Sequence, residues 1–404
     1  APTRRYIPGG KSPGPDRIPN KFYINMEALV APILTAVTNE ARDLGHYPEG
    51  FSDGIISTLY KKGDRNDPRS YRPITLLNGD YKIMMRVFTK RMNEAVVQFV
   101  SDPQNGFVPD SFLPENIMLL KLAQAYIENE DDEGAYYVFL DMEKAFDRCS
   151  WPFMIAAMHR LGFTDGFINF VKLTYNTDTP PLRQLSINGH LGKAFPLGSG
   201  VAQGCPLSPL LFLLITEPLT RLISRDQRIR GIHIGNLILK LTQYADDTTL
   251  CLRPGDETAA QENLDTWYGA TTMAENHGKR EGYLIGHLRR NPHLAPSGVL
   301  RNDNWQPAGK SIRALGAPLG NDIDEEAGYK TRYRQVNHRI AGWPNIRRLT
   351  ITCRNMLTHA ILYGSFRFWL YFMEMPQSIC EAIESDAKQI LWANSPSLLS
   401  DEFG

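Results

Sequence analysis

The sequence lacks any excess of charge: 44 lysines and arginines meet 44 aspartates and glutamates over 404 residues. So balanced a chain has no global field to draw in a polyanion, and any such site must come from a local cluster. Cysteine is scarce. The five present, Cys149, Cys205, Cys251, Cys353 and Cys380, form no C-x-x-C pair. That excludes a zinc knuckle and a disulfide framework, and it fits a reducing compartment. Long apolar runs are missing too. The most apolar late stretch, Met356 to Met375, is interrupted by His359, Arg367 and Glu374, so it reads as a core helix and not as a membrane span. The polar, Pro/Gly-rich N-terminal stretch is unlike a signal peptide, and no internal repeat or low-complexity tract is visible. The abrupt ends at Ala1 and Gly404 suggest a module cut from something longer. What is left is ordinary globular composition, with length enough for two or three packed subdomains.

One stretch stands out, LILKLTQYADDTTLCL, from Leu237 to Leu252. Its alternating first half and its β-branched and apolar second half predict strand, tight turn, strand, with Asp246 and Asp247 at the turn. Adjacent carboxylates repel and lose hydration when partly buried, so such a turn calls for a counter-ion. A divalent metal would supply one. The competing reading is an Asp-Asp turn that merely faces water, since Asp is common in turns.

Taken in order, residues 9–23 read as a loop, because Pro13, Pro15 and Pro19 exclude regular helix. A helix is expected from Met26 to Leu44 with Leu29, Ile33, Val37 and Ala41 on one face. ISTLYKKGD at 56–64 and YRPITLLNGD at 71–80 place Lys61, Lys62 and Arg72 on a strand-turn-strand, where cations either hold phosphates or sit as plain surface charge. A helix over 81–100 would turn Ile83, Val87, Met92, Val96 and Val100 inward. YYVFLD at 136–141 reads as a buried strand that delivers Asp141 at its C-terminal end. Asn188-Gly189 is the strongest short hairpin signal. Residues 200–223 form a Gly/Pro loop opening an apolar helix, with Gln203 and Gly204 where a backbone or a base can come close. A helix over Glu257 to Ala274, the isolated Lys279, a short strand at 283–285, a strand and turn at 312–320 and a helical remainder complete the chain. Lys330, Arg332, Arg334, Arg339, Arg347 and Arg348 fall in a stretch without an acid, either a solvated helix face or the local cluster that a polyanion needs.

Asp141 at a strand end and Asp246-Asp247 at a hairpin turn suit two-metal chemistry. Two divalent ions about 3.5–4 Å apart activate a 3′-hydroxyl and stabilise a leaving pyrophosphate in line. Mg²⁺ fits, because it takes a few carboxylates and completes its octahedron with water and substrate phosphates. Lys279 is placed to protonate the pyrophosphate, and Lys61, Lys62 and Arg72 to hold a triphosphate.

The ordered signatures KSPGPD at 11–16, YRPITLLN at 71–78, QNGF at 104–107, FLDMEKAFD at 139–147, GVAQGCPLSPLLF at 200–212, YADD at 244–247, NHGKRE at 276–281 and LGAPLG at 315–320 carry a family likeness. The chain resembles the reverse transcriptase of non-LTR (LINE-type) retrotransposons along nearly its whole length. The resemblance implies an α+β right-hand polymerase fold. Fingers would span 1–134, a palm with an antiparallel sheet packed on helices and an inserted fingers segment 135–318, and a helical thumb 319–404. It implies RNA-directed DNA polymerase activity, with dNTPs added to a primer 3′-end on an RNA template. Two Mg²⁺ ions, or Mn²⁺ in their place, would be held by Asp141, Asp246 and Asp247. By the same likeness, Phe146 lies under the sugar of the incoming nucleotide and excludes a 2′-hydroxyl, or else simply packs the core. Gln203 and Gly204 touch the incoming nucleotide and template. Arg72 with Lys61 or Lys62 binds the triphosphate, and Lys279 is the general acid. Lys330, Arg334, Arg339 and Arg347 grip duplex phosphates from the thumb. Asp147 belongs to the pattern without a catalytic role and is expected to orient its turn by accepting backbone N–H groups.

The expected partners are an RNA template, a DNA primer or target and dNTPs, with no membrane. Target-primed synthesis implies the nucleus, the cytoplasm being the other intracellular site. Nothing in the chain resembles the endonuclease that the family usually carries, so nicking is expected from a missing domain or another protein. The chain also departs from the pattern. Asp110-Ser111 replaces the usual Gly-Arg, Ala202 a polar residue, and Arg17 a common Gly. These changes leave the three carboxylates whole but keep open a decayed nucleic-acid-binding remnant, in which Ser111 no longer reaches a phosphate. A group II intron type of reverse transcriptase is the other alternative, against which LGAPLG and Trp343–Arg348 favour the LINE type.

Overall fold

The computed structural model describes residues 10–130, 133–342 and 346–392. The elements begin with α1 (Asn20–Asn25), α2 (Glu27–Leu44), β1 (Gly54–Tyr60), β2 (Tyr71–Leu77) and α3 (Gly79–Phe99). They continue through α4 (Pro114–Glu130), β3 (Ala135–Leu140), α5 (Trp151–Arg160), α6 (Asp165–Lys172), β4 (Leu182–Ile187), β5 (His190–Leu191) and β6 (Phe195–Pro196). Then come α7 (Ser208–Arg225), β7 (Ile232–Ile234), β8 (Leu237–Leu239), β9 (Leu241–Tyr244), β10 (Asp247–Leu252), α8 (Glu257–Thr271) and β11 (Glu281–Ile285). Last are α9 (His287–Arg290), β12 (Ile312–Ala314), β13 (Ala317–Leu319), α10 (Glu325–Ala341), α11 (Ile351–Leu357), α12 (Gly364–Arg367) and α13 (Gln377–Trp392). They fall into two compact units. One comprises Ala1–Ser111, Leu140–His233 and Leu237–Arg280, the other Phe112–Phe139, Ile234–Asn236 and Glu281–Gly404.

The first unit is built on α7. SPLLFLLITEPLTRLISR is apolar nearly all round, and a helix of that kind belongs inside; Leu210 through Glu217 are all buried. Pro209 sits in its first turn, where a missing N–H costs nothing. The α8 indole of Trp267 locks onto it, donating Nε1–H to the Ile215 carbonyl at 2.8 Å. A separate sheet has the order β2-β1-β4-β5, with β6 also on β4. In it β1 runs antiparallel to β2, from Gly54↔Leu77 to Tyr60↔Tyr71, and parallel to β4. Asn188 (φ 50°) and Gly189 (φ 83°) form the tight turn between β4 and β5, as the Asn-Gly pair predicts. Arg17 adopts φ 60° and donates its N–H to the Gly14 carbonyl at 3.0 Å. A left-handed residue at that turn is what makes glycine common there.

The second unit pairs β3 with β11 antiparallel, from Glu281↔Phe139 to Ile285↔Ala135. All of β3 except Phe139 is buried, in keeping with its unbroken aromatic and apolar run. The Tyr137 hydroxyl donates to the Leu120 carbonyl at 2.8 Å, tying α4 to the strand. The helices α10 to α13 enclose their own core of Tyr329, Val336, Leu362, Phe366, Ile379 and Ile383.

Three expectations need adjustment. Met356–Met375 is not one helix: α11 gives way to a π-helical turn at Thr358–Tyr363, then α12, then a 3-10 turn at Trp369–Tyr371. Among the described residues no helix is long and apolar enough to cross a membrane. On α3 Val87, expected to point inward, is 39% exposed, and on α2 the expected apolar stripe is only partly covered. Ala41 is buried, but Leu29 and Ile33 are 67% and 60% exposed, because only the C-terminal part of the helix is covered.

Candidate active site

The hairpin forms as its pattern predicts, with Asp247 paired opposite Tyr244 and a two-residue turn of Ala245 and Asp246. Ala245 is buried and left-handed at φ 58°, which puts the two carboxylates at the tip. Asp246 is half-buried. Desolvation raises its carboxyl above the usual range, its own backbone N–H opposes that, the charge of Asp141 adds to it, and Lys61 and Arg72 draw it back down. Asp247 is exposed. The protein packed around its carboxyl still desolvates it and, with Asp246 and Asp141, pushes it up to about 6 against the pull of Lys61. Each of these causes is a statement of proximity. The predicted triad shares one local field, and Lys61 and Arg72 from the β1–β2 hairpin act on it. Lys62 lies exposed on the same turn.

Asp141 leaves the end of β3 and meets a turn rather than a strand. Its carbonyl accepts from Asn276 N–H at 2.8 Å, and Glu143 N–H donates to the Ala274 carbonyl at 2.8 Å. That turn is braced by a buried ion pair, Arg280 Nη2 to Glu275 Oε2 at 2.5 Å, to which the Tyr268 hydroxyl also donates at 2.9 Å. The brace brings Lys279 onto Asp141, Nζ to Oδ2 at 2.8 Å. Among the described residues no three His, Cys, Asp or Glu side chains are gathered tightly enough to share one metal ion. The donor set nonetheless suits a hard divalent cation: the charge of Asp141 raises both Asp246 and Asp247, and Asp141 already holds a cation, the Lys279 ammonium.

Phe146 is half-buried. Its ring stacks on Phe212 at 5.0 Å and 8° and meets Phe107 edge-on at 6.3 Å. The loop carrying Gln203 and Gly204 is clipped at both ends. Val201 N–H donates to the Phe146 carbonyl at 2.8 Å, and Thr75 N–H of β2 donates to the Gln203 carbonyl at 2.8 Å. Gly204 (φ 138°) is obligatory, because a Cβ there would run into the Thr75 carbonyl oxygen. Ala202 is buried, and a polar side chain there would lose its hydration. The Ser111 hydroxyl closes its own loop, donating to the Asn105 carbonyl at 2.5 Å. Asp147 corrects an expectation. Among the described residues its carboxyl accepts no backbone N–H; instead its carbonyl accepts from the Ser199 hydroxyl at 3.1 Å. Burial raises that carboxyl above the usual range, with Lys144 in opposition.

In the second unit, Lys330 is taken up by Glu326 at 2.6 Å, one turn back on α10. Arg334, Arg339 and Arg348 are exposed. Trp343 lies outside the described residues, as does the side chain of Arg347. Arg332 lies over the Trp369 ring at 5.7 Å. Burial, Arg339 and then Arg313 lower its pKa, so like charges crowd together there. Arg313 of β12 joins this cluster from outside the basic run, which no local pattern could have shown.

Residues 60–284, more than half of the chain, match the family described as "Reverse transcriptase (RNA-dependent DNA polymerase)". The "Transposon TX1 uncharacterized 149 kDa protein" of Xenopus laevis is 26% identical over 393 residues, 96% of this chain and 29% of that protein. The "RNA-directed DNA polymerase from mobile element jockey" of Drosophila melanogaster is 27% identical over 281 residues, 67% of this chain and 29% of that protein. A solved structure of telomerase from Candida Tropicalis, in complex with a TWJ fragment of telomeric RNA, aligns with 91% of this chain and 59% of that one at 10% identity and a TM-score of 0.46. The chain spans less than a third of the length of the curated relatives it matches.

Proposed function

The chain belongs to the reverse transcriptase (RNA-dependent DNA polymerase) family, and from that premise we propose that it is the polymerase module of a non-LTR retrotransposon protein, extending a DNA primer on an RNA template. The observation that carries the site assignment is the shared field of Asp141, Asp246 and Asp247, with Lys61 and Arg72 of the β1–β2 hairpin acting on it. Two carboxyls raised by burial and by neighbouring carboxylates, with cations that offset the rise, suit a site for a metal-bound triphosphate.

In this reading Asp141, Asp246 and Asp247 hold Mg²⁺, or Mn²⁺ in its place. Two such ions would sharpen the primer 3′-oxygen as a nucleophile and neutralise the departing pyrophosphate. Lys61, Arg72 and the nearby Lys62 bind the triphosphate. Lys279 holds a proton at Nζ and exchanges its ion pair with Asp141 for a phosphate oxygen. The Phe146 ring, backed by Phe212, presents a flat wall to the sugar. Gln203 and Gly204 line the path of template and nucleotide, held in place by Thr75. Arg334, Arg339 and Arg347 grip duplex phosphates, with Arg332 near Arg339 and Arg313 near Arg332; Lys330 does so only by releasing Glu326.

The division into fingers (1–134), palm (135–318) and thumb (319–404) belongs to the same proposal. So do a nuclear site of action and nicking by a further domain or another protein. The test is primer extension by the purified chain on a synthetic RNA template, with dNTPs and Mg²⁺. Incorporation that needs the template, the metal and Asp247 would support the reading, and a folded chain that extends nothing would sink it.

A further inference from the structure

The QNGF stretch takes no part in the chemistry just described, yet it grips the carboxylate turn. Gln104 is 2% exposed. Its Oε1 accepts from the N–H of Ala245 at 2.8 Å and from that of Gly106 at 2.8 Å, and its Nε2 donates to the Ala245 carbonyl at 3.2 Å. One side chain therefore satisfies both polar groups of the residue between Tyr244 and Asp246, as a neighbouring strand would. The segments also run side by side in the backbone: Asn105 N–H donates to the Gln243 carbonyl at 2.9 Å, and Gln243 N–H donates to the Pro103 carbonyl at 2.8 Å.

We propose that Gln104 is a positioning residue, whose amide holds Ala245 in left-handed backbone and thereby aims Asp246 and Asp247.

Three further observations support this. Ala245 at φ 58° carries a Cβ that disfavours that conformation, so something must hold it there. Gly106 lies so close that a Cβ on it would run into the Ala245 nitrogen, leaving the turn no room to shift toward it. The grip is itself anchored. Gln104 N–H donates to the Ser101 carbonyl at 3.0 Å, and Ser101 donates its N–H and its hydroxyl to Glu217 of α7 at 3.0 and 2.5 Å. Arg221 then holds Glu217, Nε to Oε1 at 2.6 Å. Glycine at position 245 would adopt the same backbone without help, and that supplies the decisive variant.

The proposal rests on the polymerase reading, so the experiment has one arm that needs no activity. Gln104→Met keeps the length of the side chain and removes both amide atoms. Amide exchange across 243–247 should speed up in Gln104→Met relative to the parent, whether or not the parent extends primers. In an active parent, kcat should fall about 100-fold, the effect of a small misplacement of reacting groups. KM for dNTP and affinity for primer–template should stay within a few-fold. Gln104→Met/Ala245→Gly should recover most of the lost kcat. Unchanged exchange and kcat in Gln104→Met would overturn the proposal, as would a loss that Ala245→Gly leaves uncorrected. Should Gln104→Met fail to fold, rescue of folding by Ala245→Gly supports the proposal, and failure of rescue overturns it. A parent inactive on every primer–template, with exchange still responding to Gln104→Met, would sink the polymerase reading alone.

Discussion

The carboxylate turn and helix α10 both carry charges that the proposed reaction needs, and they are held in opposite ways. Around the turn nearly every group has a fixed partner: Ala245 on Gln104, Asp141 on Lys279, the Asn276 turn on the Glu275–Arg280 pair. On α10, by contrast, Arg334 and Arg339 stand in solvent. Reacting atoms tolerate little misplacement, so their supports must be rigid and specific. A backbone of phosphates needs only positive charge within reach, and exposed arginines supply that without buried partners. Substitution at the turn should therefore act all-or-none, and on α10 by increments.

The sharpest way to break that contrast is Asp247→Asn. It removes one negative charge and leaves shape alone, so the chain should fold while dNTP incorporation drops by roughly 10³–10⁶-fold, as happens when a member of a catalytic set is removed. Incorporation at the parent's rate would place the site elsewhere and dissolve the comparison.

Phe146→Ala has a smaller expected effect. The ring rests against Phe212 and Phe107 and is half-exposed, so its loss should cost about 2 kcal/mol of stability, below a full core truncation. If the exposed side faces the sugar, preference for dNTP over rNTP should also narrow by roughly 10- to 100-fold. Single-nucleotide incorporation with each substrate gives the ratio. A folded variant with the parent's ratio would leave the ring as packing alone.

The incremental side of the contrast is tested by Arg334, Arg339 and Arg347, replaced together by Gln. Each phosphate left without its arginine should flatten the log–log salt dependence of primer–template binding by about 0.9. The affinity should fall without any change in metal requirement or sugar preference. Anisotropy across a salt series measures both. The parent's affinity and slope in the triple variant would mark the run as a solvated face and move the duplex path to other cations.

How far the sequence reveals this arrangement follows the same divide between local and distant. The β9–β10 hairpin, β3 ending at Asp141, the Asn188-Gly189 turn and α7 are all legible, because each is written in alternation, turn chemistry or an unbroken apolar run. The grip of Gln104 on Ala245 spans 141 residues and leaves no periodic trace. The same holds for the approach of Arg313 to Arg332, brought about by the β12–β13 hairpin. The α2 face misleads for another reason. Helical spacing of Leu29, Ile33, Val37 and Ala41 shows that a stripe exists, not that anything covers it. The family's ordered motifs marked QNGF as important without saying why. The reason is a side chain acting as backbone, visible only once both strands are in place.

The smallest effect concerns what the clustered carboxylates cost the protein before any cation binds. Asp247 is pushed up to about 6 in the folded chain by desolvation, then by Asp246 and Asp141, against an unfolded value of about 3.9. A carboxyl raised on folding favours the fold while protonated. Its contribution is complete below the unfolded value and is lost as pH rises through the folded one. The metal-free protein should thus give up stability between about pH 4 and 6 and lose little more from this group above that. The raised Asp246 acts in the same direction. Solvent reaches Asp247, so screening cuts the loss to about 1 kcal/mol. Asp247→Asn has no such charge to acquire. In EDTA its urea midpoint should lie close to the parent's near pH 4.5 and exceed it by more at pH 7.5, the variant that abolishes incorporation being the more stable protein. Midpoints that differ by the same amount at both pH values would show that the carboxyl is not desolvated, and the turn would then be no more constrained than the arginines of α10.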